Sequence, residues 1–203
     1  MAIQRFLAAG GFMQKNKYLL IIMTLFIFIS ACGYIVRYDG PYKGKVVDAI
    51  TGQSIEGVVV LGVWYKETAT PAGAVSSYYD AEETVTDKNG DFEIPGKGLK
   101  IFSNVTPMSV LIFKAGYEHI GLWLWESFKE DELLKKKIVW EGEKAIIPLR
   151  KLTMEERKKE LGPPSPPDEA TLEKVILMLR EIDKNDLEQG LKPRGMWNGA
   201  TYE

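Results

Sequence analysis

The residues that carry most redox and acid–base chemistry are nearly missing. The 203-residue chain contains one cysteine, Cys32, and one histidine, His119. A single cysteine excludes an intramolecular disulfide and leaves the rest of the chain indifferent to the redox state of its compartment. A single histidine excludes the two- and three-histidine sets that hold a catalytic zinc. No glycine-rich phosphate loop, nucleophile elbow or Cys–His pair is present either. The expectation is a protein that is not an enzyme, with no catalytic residue, no metal site and no cofactor. Charge of one sign is also scarce. Residues 1–31 carry Arg5, Lys15 and Lys17 and no acid, so the 26 Lys and Arg fall to 23 against 28 acids in the remainder, a net charge of −5. A mildly acidic body without a basic run excludes nucleic acid as a partner.

The chain has enough apolar residues to fold. Hydrophobic content is 45% and charged content 27%, values of a globular protein rather than a disordered one. The length suits one domain with additions. The one long apolar run, Tyr18 to Ala31, has 14 residues and follows the basic stretch Gln14-Lys15-Asn16-Lys17. A positive segment, an apolar core and a small-residue ending are the parts of a secretory signal. The run closes on Ile29-Ser30-Ala31-Cys32, which resembles the bacterial lipoprotein box. That resemblance implies cleavage before Cys32, diacylglycerol on its thiol and acylation of the new amino terminus. Several acyl chains anchor firmly, at about 0.8 kcal/mol per buried methylene. Gly33 follows the cysteine where an acidic residue would mark inner-membrane retention, so the resemblance points to the outer membrane. The alternative is an uncleaved single-pass anchor, because the 19 residues from Tyr18 to Val36 just span a bilayer. Both place the body outside the cytoplasm, since the positive charges precede the apolar run.

After Lys43 the pattern becomes that of strands. Val-, Ile- and aromatic-rich runs at 43–48, 57–65, 109–114 and 119–125 alternate with turn signals, and Lys144–Leu152 reads as a final strand. Thr51-Gly52-Gln53-Ser54 forms the first turn. Asp87-Lys88-Asn89-Gly90 forms a second, hairpin-like one, where Asn-Gly supplies the positive φ angles of a tight turn. Residues 66–83, rich in Ala, Gly, Ser and Thr, read as an extended loop or an edge excursion. Six or seven short strands without intervening long helices indicate an all-β antiparallel sandwich.

Three motifs in order sharpen this. "GKVVDAITGQSIEGVVV", "TVTDKNGDFEI" and "LIFKAGYE" together resemble the carboxypeptidase regulatory-like domain, a transthyretin-like (prealbumin-like) Greek-key sandwich. The matching positions are Gly44, Val46, Asp48, Thr51, Gly52, Ile55, Gly57 and Val59, then Thr86, Asp87, Gly90 and Phe92, then Gly116 and Tyr117. The resemblance covers residues 42–150 and implies a fold, because these motifs are structural. Transthyretin-like hydroxyisourate hydrolases use more than one histidine and a C-terminal Tyr-Arg-Gly-Ser motif; this chain ends Trp-Asn-Gly-Ala-Thr-Tyr-Glu. The expected organisation is a signal peptide over 1–31, a tether over 32–42, the sandwich over 43–150 and a C-terminal arm over 151–203.

Four aromatics are candidates for ligand contact. In "GLWLWES", Trp123 and Trp125 would share one face of a strand. Exposed, they form a stacking platform for sugar rings, including peptidoglycan, or for a proline-rich segment of an envelope protein; buried, they fill the core. Tyr78 and Tyr79 carry the same two readings. His119 reads as a strand residue near a turn. Asp87, Asn89 and Asp91 superficially match the start of a calcium loop, but the glutamate required at its twelfth position is absent, which leaves a turn as the better account. In the arm, "KLTMEERKKELG" predicts a short charged helix and "PPSPP" a stiff linker. Ser165 is the expected cap of a following helix, with Pro166 at its first position. Leu172, Val175, Ile176, Leu179 and Ile182 then give it an apolar stripe. That stripe docks on the sandwich or on a partner.

Overall fold

Apolar residues stand at consecutive positions in Val58-Val59-Val60-Leu61 because the strand they begin is covered on both faces. In a computed structural model of the chain, which describes residues 36–132, 137–159 and 162–193, Val60 and Trp64 point into one core cluster while Val59, Leu61 and Val63 point into another. Cys32, the apolar run before it and Trp197 lie outside the described residues. The chain divides into two compact units, Met1–Tyr38 with Leu99–Ser103 and Asp39–Gly98 with Asn104–Glu203.

The larger unit holds two four-stranded sheets. The first has the order β4-β3-β7-β8, built from β3 (Val59–Thr70), β4 (Gly73–Val85), β7 (Ser109–Phe113) and β8 (Ile120–Leu124), all antiparallel. The second has the order β5-β2-β10-β9, from β2 (Tyr42–Asp48), β5 (Asp91–Ile94), β9 (Val139–Glu141) and β10 (Lys144–Leu149). β2 and β10 alternate buried and half-exposed residues, the signature of one covered face. Val46, Phe92, Ile94, Ile147 and Leu149 from this sheet meet Val58, Val60, Trp64, Val110 and Ile112 from the other. The architecture is therefore a β-sandwich. It is not wholly antiparallel: β10 pairs β2 in parallel, Lys144 opposite Lys43 through Leu149 opposite Asp48. Residue alternation encodes which face is buried, not which way a strand runs.

The outer face of the first sheet is covered by the C-terminal arm. After the short α1 (Ser127–Glu130) and α2 (Met154–Lys159), α3 (Leu172–Glu188) lays Val175, Met178, Leu179 and Ile182 on Leu61, Val63, Ala81, Leu111 and Phe113. Leu172 is exposed, so the stripe is one turn shorter at its start than its spacing predicts. The helix opens at Thr171 rather than Ser165, whose proline neighbours lie outside any helix or strand. Two polar contacts pin it. Glu83 on β4 accepts the backbone N–H groups of Leu177 and Met178 at 2.9 and 2.7 Å, and the Ala115 N–H donates to Glu181 at 2.9 Å. Burial pushes the Glu83 carboxyl above its ordinary value against the pull of those two donors.

Two further segments are sharpened. Of the two readings of 66–83, the loop gives way to the edge excursion: β3 and the edge strand β4 continue as a paired hairpin to Thr70 opposite Gly73. Beyond Tyr65 both of its faces are largely exposed, so it lacks the apolar alternation that marks a half-buried strand. The stretch 32–42 is not only a tether. It contains β1 (Val36–Asp39) and ends at the buried Tyr42, while Asp39 is 1% exposed. β1 pairs with β6 (Gly98–Ile101) in a separate two-stranded sheet.

At the start of α2, Thr153 and Glu156 form a reciprocal capping box. The Thr153 N–H donates to Glu156 Oε2 at 2.8 Å and the Glu156 N–H to Thr153 Oγ1 at 3.3 Å. The Thr153 N–H, the Arg150 guanidinium and the Thr153 hydroxyl hold the Glu156 carboxyl down at about 2. A carboxyl depressed by folding stabilises the native state above its unfolded pKa, and that contribution disappears as pH falls through the folded value. The Glu156 contribution is therefore complete above about pH 4.5 and lost towards pH 2. NMR titration of the side-chain carboxyl is expected to give a midpoint near 2. A midpoint at the ordinary value, about 4.3, would show that the box does not form.

Candidate functional site

The motif residues turn out to be joints. Asp48 Oδ1 accepts the N–H groups of Ile50 and Thr51 and the Thr51 hydroxyl, shaping the turn at 49–52. Backbone hydrogen bonds to Thr51 and Ile50 depress its pKa. Thr86 is buried, accepts the Val58 N–H at 2.9 Å and donates to the Ile55 carbonyl at 2.7 Å. Asp87 Oδ1 accepts the N–H groups of Asn89 and Asp91, so this carboxylate is engaged by its own turn. That turn joins the two sheets, β4 of one to β5 of the other, and is not a hairpin within one sheet. Two glycines are required by space. A Cβ on Gly90, whose φ is +76°, would lie 2.4 Å from the Val46 carbonyl oxygen. One on Gly44 would lie 2.4 Å from the Phe92 ring. Gly44, Phe92, Thr86, Asp87 and Gly90 thus form one interlocked set around the start of the sandwich.

The four candidate aromatics do not form one platform. β8 ends at Leu124, and the turn between it and α1 brings Trp125 inward to 6% exposure while Trp123 remains 44% exposed. The Trp125 N–H donates to the Met108 carbonyl at 2.9 Å, and its indole packs against Tyr42, Phe92, Phe128 and Trp140 with centroids 5.4–6.1 Å apart. Trp125 as a surface ligand residue is therefore corrected to core: alternation ceases to apply where the strand stops. Tyr78 pairs with Tyr65, and both pack on the helix-side core cluster. Burial raises the pKa of each, with Glu169 adding to the effect at both. Tyr79 is exposed beneath Lys66 Nζ, 4.6 Å from its ring centroid. Trp123 and Tyr79 lie on opposite edge strands of one sheet, β8 and β4. His119 precedes β8 and stands edge-on to Phe113 at 6.4 Å.

What remains is an aromatic margin where β8 and β9, each the last strand of its sheet, come to one side of the sandwich. Trp125, just past β8, touches Trp140 on β9, and Lys129 Nζ sits 4.2 Å from the Trp140 centroid. On the surface, Leu122, Trp123 and Leu124 are exposed in a row, with Val139 exposed on β9. An edge strand with apolar and aromatic side chains offers backbone hydrogen bonds and a stacking face, and so suits an extended peptide or a sugar ring.

A second arrangement lay beyond sequence reasoning. Asp39 Oδ1 accepts the Tyr42 hydroxyl at 2.7 Å, and Oδ2 accepts the Trp64 indole N–H at 2.8 Å and the Lys97 N–H at 2.9 Å. Lys97 Nζ lies 4.3 Å from the Trp64 centroid and bridges Asp80 at 2.9 Å and Glu82 at 3.2 Å. Burial opposes the Lys97 charge, yet these two carboxylates raise its pKa. The partners come from β1, β2, β3, β4 and the stretch before β6, so no local pattern announces them. The proline-rich segment also leaves a groove of about 280 Å³ against α3, lined by Pro164, Pro166, Val175, Leu179 and Ile182, with Asp168 and Asp183 in its wall. Among the described residues, no cluster of His, Cys, Asp and Glu has the arrangement of a metal site, and no helix is long and apolar enough to cross a membrane. Comparison with protein-family models, with curated proteins and with solved structures finds no match.

Proposed function

We propose that the protein is a non-enzymatic, lipid-anchored module of the cell envelope, held on the periplasmic side of the outer membrane through Cys32. Its sandwich would belong to the carboxypeptidase regulatory-like, transthyretin-like Greek-key class. The order of the three motifs and the interlocking of Gly44, Phe92, Thr86, Asp87 and Gly90 support that fold assignment. The observation that carries the anchoring is positional. Cys32 ends the apolar run and stands only four residues before Val36, where β1 begins, and no other cysteine exists in the chain. C32A is expected to abolish the acylated mature N-terminus and to move the protein out of the outer-membrane fraction, read by mass measurement and fractionation. An uncleaved, membrane-spanning product in both forms would replace lipidation with the single-pass alternative.

Within this reading the β8 margin is the binding face for an extended segment of an envelope protein. The specific observation is that Leu122, Trp123 and Leu124 are all exposed on a sheet edge. A glycan such as peptidoglycan is the second reading. It rests on the exposed Trp123 indole, now without Trp125 beside it.

A further inference from the structure

The sheet formed by β1 and β6 reverses the usual exposure pattern. Val36, Tyr38, Leu99 and Ile101 are exposed, while Arg37 and Lys100 between them are half-buried. Phe102 follows at 80% exposure with a φ of +49°, a conformation that bulky residues seldom adopt. Five large apolar side chains thus stand in water within the smaller unit, Met1–Tyr38 with Leu99–Ser103. Exposed apolar side chains concentrated on two paired strands mark a surface used for contact.

We infer that this ribbon is a membrane-contact surface that seats Val36, Tyr38, Leu99, Ile101 and Phe102 in the headgroup layer of an anionic bilayer. Chain length argues for a bilayer as the occupant. Cys32 is four residues from Val36, a span of at most about 14 Å even when fully extended. The interfacial layer of each leaflet is itself roughly 5–8 Å thick. Because the contact presupposes tethering near Cys32, either by acyl chains or by the apolar run, the ribbon cannot escape the membrane's vicinity. Charge argues in the same direction. The described part of the smaller unit carries Arg37 and Lys100 and no acid, while the chain after residue 31 is net negative by five charges. Aromatic and aliphatic tips in a unit whose described charges are both basic have the composition of interfacial segments.

The test uses the full chain, purified in detergent and reconstituted into phosphatidylethanolamine–phosphatidylglycerol vesicles with brominated upper acyl positions. F102W adds one indole to the five already present. Its added emission, taken as the difference from the unsubstituted protein, is expected to fall roughly two-fold or more relative to non-brominated vesicles. Replacing phosphatidylglycerol with phosphatidylcholine should weaken the quenching; equal quenching would overturn the part assigned to Arg37 and Lys100. Vesicle flotation separates the premises. Protein that floats with its added indole unquenched and open to aqueous acrylamide overturns the ribbon contact while leaving the anchor intact. Protein that floats with the indole shielded from both quenchers places a second copy on the ribbon, which also overturns the bilayer as occupant. Protein that fails to float overturns both contact and anchor.

Discussion

Trp125→Ala is expected to destabilise the sandwich by about 3–5 kcal/mol, and Trp123→Ala by no more than about 0.5 kcal/mol. The two indoles stand two residues apart in sequence, yet only one has a core to lose. Trp125 is packed on four rings, Tyr42, Phe92, Phe128 and Trp140, drawn from β2, β5, α1 and β9. Its removal leaves a void between the sheets that these rigid rings cannot collapse to fill. Trp123 opposes Val110 across the β7–β8 ladder and turns much of its ring to solvent. Urea unfolding of the full chain in nonionic micelles would read the difference. With an m-value of about 2 kcal/mol/M, W125A should move the midpoint down by roughly 2 M. Equal midpoints for the two variants would refute the core position of Trp125. The pair also tests the binding margin. W123A should remove binding of a peptide or glycan ligand while the fold persists, and W125A should remove it only through unfolding.

Asp39→Ala is expected to cost about 2–4 kcal/mol, because it strips the acceptor from three buried or half-buried donors at once. The Tyr42 hydroxyl, the Trp64 indole N–H and the Lys97 N–H all converge on this carboxylate. An isosteric D39N substitution keeps one oxygen but turns an amide NH₂ towards donors. It should therefore recover less than half of the loss. Tyr42→Phe removes one donor to Asp39 and the acceptor of one backbone N–H, and should cost about 1–2 kcal/mol. Tyr42 also receives the Met108 N–H at 3.3 Å, so amide exchange at Met108 should accelerate in Y42F. Near-additive costs for D39A and Y42F would contradict the shared contact, since coupled partners give less than the sum. Thermal or urea midpoints for the two single variants and the double variant complete the cycle.

Much of the architecture is written locally. β2 and β10 bury alternate residues because Val46, Ala145, Ile147 and Leu149 recur with period two. Gly52 and Gly90 mark turns because their φ angles are positive. The stripe on α3 predicts its buried face from Val175 to Ile182, and "KLTMEERKKELG" predicts the short charged helix α2. The hairpin at 66–83 was less legible, since strands bathed on both sides have no reason to alternate. Pro166 also misled, because a proline can open a helix or simply prolong an extended segment.

By itself, then, the sequence determined turn positions, buried faces and the strand-rich class of the body, along with the apolar run ending at Cys32. These depend on side-chain chemistry within a few residues of each position. Tertiary structure alone decided the parallel pairing of β2 with β10, the opposite fates of Trp123 and Trp125, and the convergence on Asp39. Each of those joins residues that lie tens of positions apart or hinges on where a strand stops. Period-two alternation is the same in either strand direction, and a buried donor declares its acceptor only once the chain has folded.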